Sequence, residues 1–315
     1  KLPETTAQTA MVPAQIALLF VDSSIPSNPD TTGKDLSSAP FSTDLAAAYM
    51  AMDKAISLFS GNTLSGTSAS SFIPPVHAAS TDAATGKAAN ANMRLVTVNG
   101  ISFQEPWMQP PAPEKTKEAT FTNADGTSSA VAMVKHHGYY RTTKAEDGSW
   151  SAVALFFCNE QNKGDSVCFV GILPKDYKVR EFLKQELDAG KLNEIRTALL
   201  QAPREACTIE IPGITYPQST TNIGGILKEM GLTCLFTEQS PFPGISKEAD
   251  SRLSLALQQV KFTLKEKQGQ TDDFAPESPD VRPNDAIRFD HPFFWYIGDL
   301  ASDQPPYLMG IIEKL

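Results

Sequence analysis

The stretch VRPNDAIRFDHPFFWYIGDL, residues 281–300, joins a loop-like segment directly to an apolar run. It begins with Pro283, Asn284 and Asp285 close to its start, which are residue types typical of turns and loops. Residues 293–297 are then apolar at every position. A strand with one solvent-exposed face alternates polar and apolar residues, whereas a strand covered on both faces does not. The stretch therefore predicts a polar loop followed by a strand inside the structure.

The composition is that of an ordinary globular protein. The chain has 315 residues, of which 41% are hydrophobic and 20% are charged, enough for one large domain. The net charge of −9 disfavours a nucleic-acid partner, because binding phosphates requires a basic face. Apolar runs such as 16–21 are far shorter than the roughly 20 residues that span a bilayer, so no membrane partner is predicted. No apolar signal segment follows Lys1, so either a start was removed by processing or the sequence begins inside a longer protein.

The cysteines and histidines show no metal-binding motif. The cysteines are Cys158, Cys168, Cys207 and Cys234. None has the CxxC spacing of a zinc site, and His136 and His137, as neighbours on a predicted strand, point to opposite faces. Cys158 and Cys168 flank a hairpin-like turn, where a disulfide and a pair of free buried thiols are both open alternatives.

Catalytic motifs are also missing. The chain contains no HExxH, GxSxG or Walker sequence, and its carboxylates are scattered rather than paired. We therefore predict no catalytic residue, no cofactor and no metal, and we expect that the protein is not an enzyme.

Strands and helices come in runs rather than in strict alternation, which favours an α+β fold over a doubly wound sheet. Apolar spacing predicts a helix from a cap at Thr43 to about Gly61, with Phe59 on its inner stripe. A second helix is predicted in TTNIGGILKEMGL, residues 220–232, with Ile226 and Met230 facing inward. Residues 120–175 are typical of successive strands separated by the turns NADG, EDG and NKGD. No linker divides residues 1–315, so we expect a single domain with an irregular segment at 1–14.

Three blocks of the sequence match one known pattern, in the same order along the chain. FDHPFFWYIGDLASDQPPYLMGII (289–312) has the Pro-Phe, apolar strand, turn and Met-Gly of a closing signature. MRLVTVNGISFQEPW (93–107) carries the expected Asn and later Trp at Asn99 and Trp107, and CTIEIPGITYPQSTTNIGGILKEMGLTCLFTEQSPFPGIS (207–246) follows the expected strand and helix series. These blocks resemble the serpin family, from about residue 15 to the end.

The resemblance implies a serpin-like α+β fold, with a large mixed β-sheet, smaller sheets and surrounding helices. It also implies an exposed reactive loop just before the final strands, at residues 267–288. In serpins a protease cleaves this loop, which then inserts as a central strand of the large sheet and traps the protease covalently. A protease or another protein partner would therefore bind through 267–288. We expect a secreted or extracellular location, although this chain shows no signal peptide.

The chain departs from the family pattern in three places, of which the first two are the N-terminal elements and the shutter. The helices and the buried strand with which serpins begin are not found before residue 15. The family has a His in the shutter of the large sheet; counting back from Glu266 places Gln258 at that position. Our predicted shutter and breach site consists of Gln258, Asn99 and the breach residue Trp107. We expect Asn99 to be mostly buried and close to Gln258, because buried amides need partners.

The hinge of the loop is also unusual. Inhibitory serpins have small residues after the hinge Glu, but here the segment from Glu266 contains Gly269, Thr271, Asp272 and Asp273. On a central strand alternate side chains face the core, so one of the two adjacent aspartates would be buried in either register. An unpaired buried carboxylate costs several kcal/mol. Pro276 and Pro279, three positions apart, would each leave a ladder hydrogen bond unmade, on opposite faces.

The scissile bond is either Val281–Arg282 or Arg282–Pro283, depending on the end from which the loop is aligned. We interpret the chain as a non-inhibitory serpin-fold protein, a binding or regulatory module with a cleavable loop. The alternative is a suicide inhibitor of a serine or cysteine protease that acts by loop insertion. A third interpretation, that 267–288 is only an acidic surface linker, also stays open.

Overall fold

The computed structural model describes residues 14–25, 36–65, 80–81, 88–89, 93–103, 107–109, 111, 116–157, 167–237, 242, 245, 252–264 and 286–315. The described residues fall into two compact units. The five-stranded unit, named after its sheet, draws on described residues within 12–104 and 216–263. The eight-stranded unit draws on those within 105–215 and 264–315. The single domain expected from the sequence stays a prediction.

The described chain contains more strands than helices. In chain order its elements are β1 (Ala14–Asp22), β2 (Leu36–Ala39), α1 (Leu45–Phe59), β3 (Ser80–Thr81), β4 (Ala88–Ala89), β5 (Leu95–Phe103), β6 (Lys117–Thr122), β7 (Ser128–Lys144), β8 (Trp150–Phe156), β9 (Val167–Pro174), α2 (Val179–Gln185), α3 (Ala189–Gln201), β10 (Arg204–Pro212), β11 (Ile214–Asn222), α4 (Gly224–Glu229), a 3-10 helix (Thr233–Phe236), β12 (Leu253–Leu264), β13 (Ala286–Arg288), β14 (Phe293–Asp299) and β15 (Leu308–Ile312). Among the described helices, none has the length and apolarity needed to cross a bilayer.

The five-stranded sheet is mixed, with the order β11-β12-β5-β1-β2. β1 pairs with β5 in antiparallel orientation, while β1–β2 and β5–β12 are parallel pairs. One face is covered by α1, whose buried stripe includes Met52 and Ile56 and packs with strand residues such as Phe20 and Leu257. The predicted helix is confirmed, but Asp44 rather than Thr43 caps it, and Phe59 in its last turn is exposed.

The eight-stranded sheet has the order β13-β10-β7-β8-β9-β14-β15, with β6 also paired to β7. The apolar run 293–297 forms most of β14, which lies between β9 and β15 and is buried at each of these positions. This confirms the buried strand predicted from the sequence. Two predicted turns are confirmed where Gly126 and Gly148 adopt positive φ angles between β6 and β7 and between β7 and β8.

The helix predicted within residues 220–232 is shorter than expected. α4 has six residues, and Ile223 and Leu227 pack against a small apolar cluster of the five-stranded unit. Ile226 and Met230 are exposed rather than buried. A helix of fewer than two turns has room for only one short stripe, so the inward prediction for these two residues was wrong.

Candidate functional site

The centre of the five-stranded sheet is the pair formed by β5 and β12. The two strands are parallel neighbours from Leu253 opposite Leu95 to Phe262 opposite Phe103, so no other strand lies between them. β12 is also the strand that leads into residues 265–285. Its hydrogen-bonded neighbours are β11 and β5. A loop that entered this sheet beside β12 would therefore have to separate one of those two pairs. We call the β5–β12 boundary the seam.

The predicted shutter residues Asn99 and Gln258 lie side by side on the seam. Their Cα atoms are register partners, which confirms that the two positions are neighbours. Both residues are exposed, however, so the expectation that Asn99 is mostly buried was wrong. The reason is their face: Val98 and Leu257, the preceding residues, belong to the core under α1, so Asn99 and Gln258 point the other way. No described element covers that face at these two positions.

On β12 the fully buried polar residue is instead Gln259, which is 0% exposed. Its Nε2 donates to the Ser65 carbonyl at 3.1 Å and to Thr220 Oγ1 at 3.2 Å. Gln218 on β11 accepts from the Ser65 backbone N–H at 2.9 Å and also donates to the Ser65 carbonyl. Side chains from β11 and β12 thus hold the backbone that follows α1. The sequence carried a signal for this, because Leu255, Leu257 and Gln259 alternate onto one face.

Gly100 on β5 completes this contact. It is the register partner of Gln259. A Cβ at Gly100 would lie 2.7 Å from side-chain carbons of both Ile16 and Leu64, so only glycine leaves room for Leu64 on the sheet. In addition, Lys261 Nζ donates to the Thr63 carbonyl at 3.2 Å. Residues 63–65 are therefore fixed directly over the seam by polar contacts on one side and by close packing on the other.

The predicted breach residue Trp107 belongs to the eight-stranded unit, whereas Asn99 and Gln258 belong to the five-stranded unit. Its side chain is 6% exposed and forms an isolated bridge with Phe157 through the backbone. The two rings stack with centroids 4.6 Å apart. The indole also meets the edges of Phe169 at 6.2 Å and His136 at 5.1 Å. Trp107 is thus a fixed core residue, and its contact with His136 was not predicted from the sequence.

The loop residues that carry the proposed protease chemistry lie outside the described residues. They are Glu266, Gly269, Thr271, Asp272, Asp273, Val281, Arg282 and Pro283. The structure begins again at β13, which pairs in parallel with β10. The predicted loop 267–288 therefore needs a correction at its end, because 286–288 form a strand. Arg288 Nε contacts Glu210 Oε2 at 2.6 Å, an exposed pair that contributes at most about 1 kcal/mol.

The structure bears on the choice between a disulfide and free thiols at Cys158 and Cys168. Cys168 is a free, buried thiol on β9 opposite Phe156 of β8, so the free-thiol alternative holds for it. Burial raises the pKa of this thiol far above its usual value, which leaves it protonated and unreactive. Cys158 lies outside the described residues. Among the described residues, no group of three or more His, Cys, Asp or Glu side chains could hold a metal ion.

Comparison with known proteins identifies the family. The model of the family described as "Serpin (serine protease inhibitor)" matches residues 80–313. The chain belongs to the serpin family. Antithrombin-III of Ovis aries is 32% identical over 160 residues, which cover 50% of this chain and 32% of that protein. Thyroxine-binding globulin of Rattus norvegicus is 26% identical over 238 residues, which cover 70% of this chain and 52% of that protein.

Solved structures agree with this serpin fold. The crystal structure of uncleaved ovalbumin matches with a TM-score of 0.74 at 17% identity, covering 96% of this chain and 73% of that chain. At such identity the match shows the fold alone. The chain spans about half or less of the length of the curated relatives named above. The comparisons therefore show the fold and the family of this chain, and its activity is inferred below from its own residues.

Proposed function

We propose that this serpin is a non-inhibitory member, a binding or regulatory module that presents residues 267–288 as an exposed and cleavable loop. It would meet its protein partner through that loop and would not act as an enzyme. The observation that carries this proposal is the sequence of the loop, in which Asp272 and Asp273 are adjacent and Pro276 and Pro279 are three apart. Its relatives include antithrombin, named as an inhibitor, and thyroxine-binding globulin, named as a binding protein.

The loop sequence makes insertion unfavourable. Whichever register the strand adopted, one of Asp272 and Asp273 would face the core without a partner provided by its own strand. A buried unpaired charge costs several kcal/mol, and each proline removes a ladder hydrogen bond, which costs roughly 1–3 kcal/mol when the partner is buried. Phe274 is the only large apolar residue between Gly269 and Pro279 that could offset this cost through burial.

The seam adds to this cost. Inserting a strand between β5 and β12 would separate Gly100 from Gln259, which are register partners beneath residues 63–65. Because Leu64 packs on Gly100 of β5, the hydrogen bond from Gln259 to the neighbouring Ser65 carbonyl would then have to shift or break. Each buried hydrogen bond contributes about 0.5–1.5 kcal/mol to stability, so opening the seam requires energy that the loop has little means to return.

The alternative is a suicide inhibitor of a serine or cysteine protease. It is favoured by the family match, whose description names serine protease inhibitors. In this case the loop would insert after cleavage despite its aspartates and prolines. The two proposals differ in one observable: an inhibitor remains covalently attached to its protease, and a binding module does not.

Incubation with a panel of serine and cysteine proteases, followed by denaturing electrophoresis, tests the proposal. We expect cleavage within 267–288 and no SDS-stable complex with any protease. A matched variant carrying Asp272→Ala, Asp273→Ala, Pro276→Ala and Pro279→Ala removes the residues that oppose insertion. An established inhibitory serpin with its own protease serves as the positive control. A wild-type band at the mass of the protease plus the chain up to the cleaved bond, together with the released C-terminal fragment, would establish the inhibitor instead.

A further inference from the structure

The last strand of the eight-stranded sheet, β15, has an open edge. The strand order ends at β15, which pairs with β14 from Leu308 opposite Ile297 to Ile312 opposite Phe293. Among the described residues, no other strand pairs with β15, and no backbone hydrogen bond joins residues 308–312 to a residue outside β14. In an antiparallel pair, every second residue directs its N–H and C=O away from the neighbouring strand. The outer side of β15 therefore presents a row of backbone donors and acceptors.

The composition of β15 is unusual for such an edge. Its sequence is LMGII, residues 308–312, with no charged residue, no proline and no polar side chain. Natural edge strands are usually protected by charges, proline, bulges or short length, because an unprotected edge accepts a further strand. Leu308 and Ile312 are buried on one face of the sheet, whereas Met309 on the other face is 53% exposed. The edge is therefore apolar on both faces.

The other described ends of the two large sheets carry such protection. β11 contains Pro217 and continues with the polar residues 218–222. β2 has only four residues, and two of them are serines. β13 has three residues and ends with Arg288, which pairs with Glu210. Of these four ends, β15 is the one without protection, and it is therefore the edge best suited to an added strand.

The five residues of β15 are complementary to a second copy of themselves. In an antiparallel pair with a two-fold axis at Gly310, Leu308 of each copy lies opposite Ile312 of the other, and Met309 lies opposite Ile311. Both of these cross-strand pairs are apolar, and apolar pairs stabilise neighbouring strands. Gly310 lies opposite itself, so no side chains meet at the axis. The sequence of the strand thus fits the same strand running in the opposite direction.

The charged residues that follow β15 are compatible with this pairing. Glu313 contacts Arg180 at 2.7 Å, and Lys314 contacts Asp125 at 3.0 Å, so both are engaged within their own chain. In the antiparallel register they would lie opposite residues 306 and 307 of the second copy, a proline and a tyrosine. The pairing therefore places no like charges opposite one another, which would destabilise it.

We propose that the chain forms a symmetric dimer in which β15 pairs with β15 of a second copy and joins the two eight-stranded sheets. The contact uses the same surface on both copies and closes on itself, so it produces a dimer rather than a fibre. Because each copy contributes a single strand, the interface is small and the dimer is reversible. The dimer depends on the edge of β15 and not on the function proposed for residues 267–288.

Sedimentation velocity of the full chain over a roughly hundredfold range of concentration tests the proposal. We expect a reversible shift from monomer to dimer. Met309→Lys introduces a charge at an exposed side chain of the edge, opposite an apolar residue of the second copy, and should raise the dissociation constant by about tenfold or more. Met230→Lys is the matched control, because it makes the same change at a 72% exposed methionine of the five-stranded unit and should leave the dissociation constant unchanged.

Hydrogen exchange of the wild-type protein locates the contact. The amides of residues 308–312 should exchange more slowly at high protein concentration than at low concentration, and exchange independent of concentration would overturn the proposal. A monomer at every concentration would also overturn it, as would species larger than a dimer. Equal dissociation constants for the wild type and Met309→Lys would place the contact elsewhere, and equal weakening by both lysine variants would show a general effect of charge. The exchange measurement decides the matter even if Met309→Lys does not fold.

Discussion

Replacing Gln259 with alanine should destabilise the five-stranded unit strongly. The substitution removes the hydrogen bonds to the Ser65 carbonyl and to Thr220 Oγ1, each contributing about 0.5–1.5 kcal/mol. It also leaves a space at a position that is 0% exposed, which adds a packing cost. The Ser65 carbonyl keeps its bond from Gln218, which limits the loss. We expect the free energy of unfolding to fall by about 2–4 kcal/mol.

The neighbouring residue provides a matched control. Gln258→Ala makes the same chemical change one position earlier on β12, on the exposed opposite face, and should change the free energy of unfolding by less than about 0.5 kcal/mol. Urea unfolding followed by circular dichroism measures both variants, with equal m-values required for the comparison. Equal losses in the two variants, or a larger loss in Gln258→Ala, would refute the assignment of Gln259 as the fully buried polar residue of β12.

Two further perturbations test the eight-stranded unit and α4. Burial lowers the pKa of His136 to about 4, so only the unfolded state takes up a proton between about pH 6.5 and 4. Between pH 7.5 and 5 the free energy of unfolding of the wild type should therefore fall by about 2 kcal/mol more than that of His136→Leu. The same pH dependence of unfolding free energy in both proteins would contradict this. Gly171→Ala places a Cβ 2.6 Å from the Phe289 ring and should lower stability by about 1–3 kcal/mol. Gly225→Ala in α4 meets no atom within 4 Å and should raise stability by up to about 1 kcal/mol. A higher melting temperature for Gly171→Ala than for Gly225→Ala would refute the close approach of Phe289 to Gly171.

The buried strand β14 could be predicted because its signal is local. Residues 293–297 are apolar in succession, and only a strand covered on both faces accommodates such a run. The turns at Gly126 and Gly148 were predictable for the same reason, since a few adjacent residues determine a turn. The family resemblance extended these local predictions to the order of the elements.

The seam shows where such prediction stops. Counting from the hinge placed the shutter residue at Gln258, and a shift of one residue moves a side chain to the other face of a sheet. The alternation of Leu255, Leu257 and Gln259 was the better guide to the buried face. The exposure of Asn99 could not be predicted from its own strand, because it depends on which elements cover that face of the sheet.

The surroundings of Trp107 could not be predicted from the sequence, for a different reason. Resemblance to serpins identified Trp107, and the tandem histidines were recognised only as neighbours that point to opposite faces. Their environment depends on the fork between β7 and β8 and on residues 107–109 that enter it, which are contacts between distant parts of the chain. The contact between His136 and Trp107 therefore becomes apparent only once the register of β7 is known.

The melting temperature of the chain before and after a single nick at residues 280–282 tests the central claim most directly. The nick should be introduced by limited proteolysis and verified by mass spectrometry, with the two fragments kept together in native buffer. If Asp272, Asp273 and the two prolines prevent insertion, the nicked protein should melt at almost the same temperature as the intact one. A rise of tens of degrees would show that the loop enters the sheet beside β12, and it would contradict the proposed non-inhibitory function.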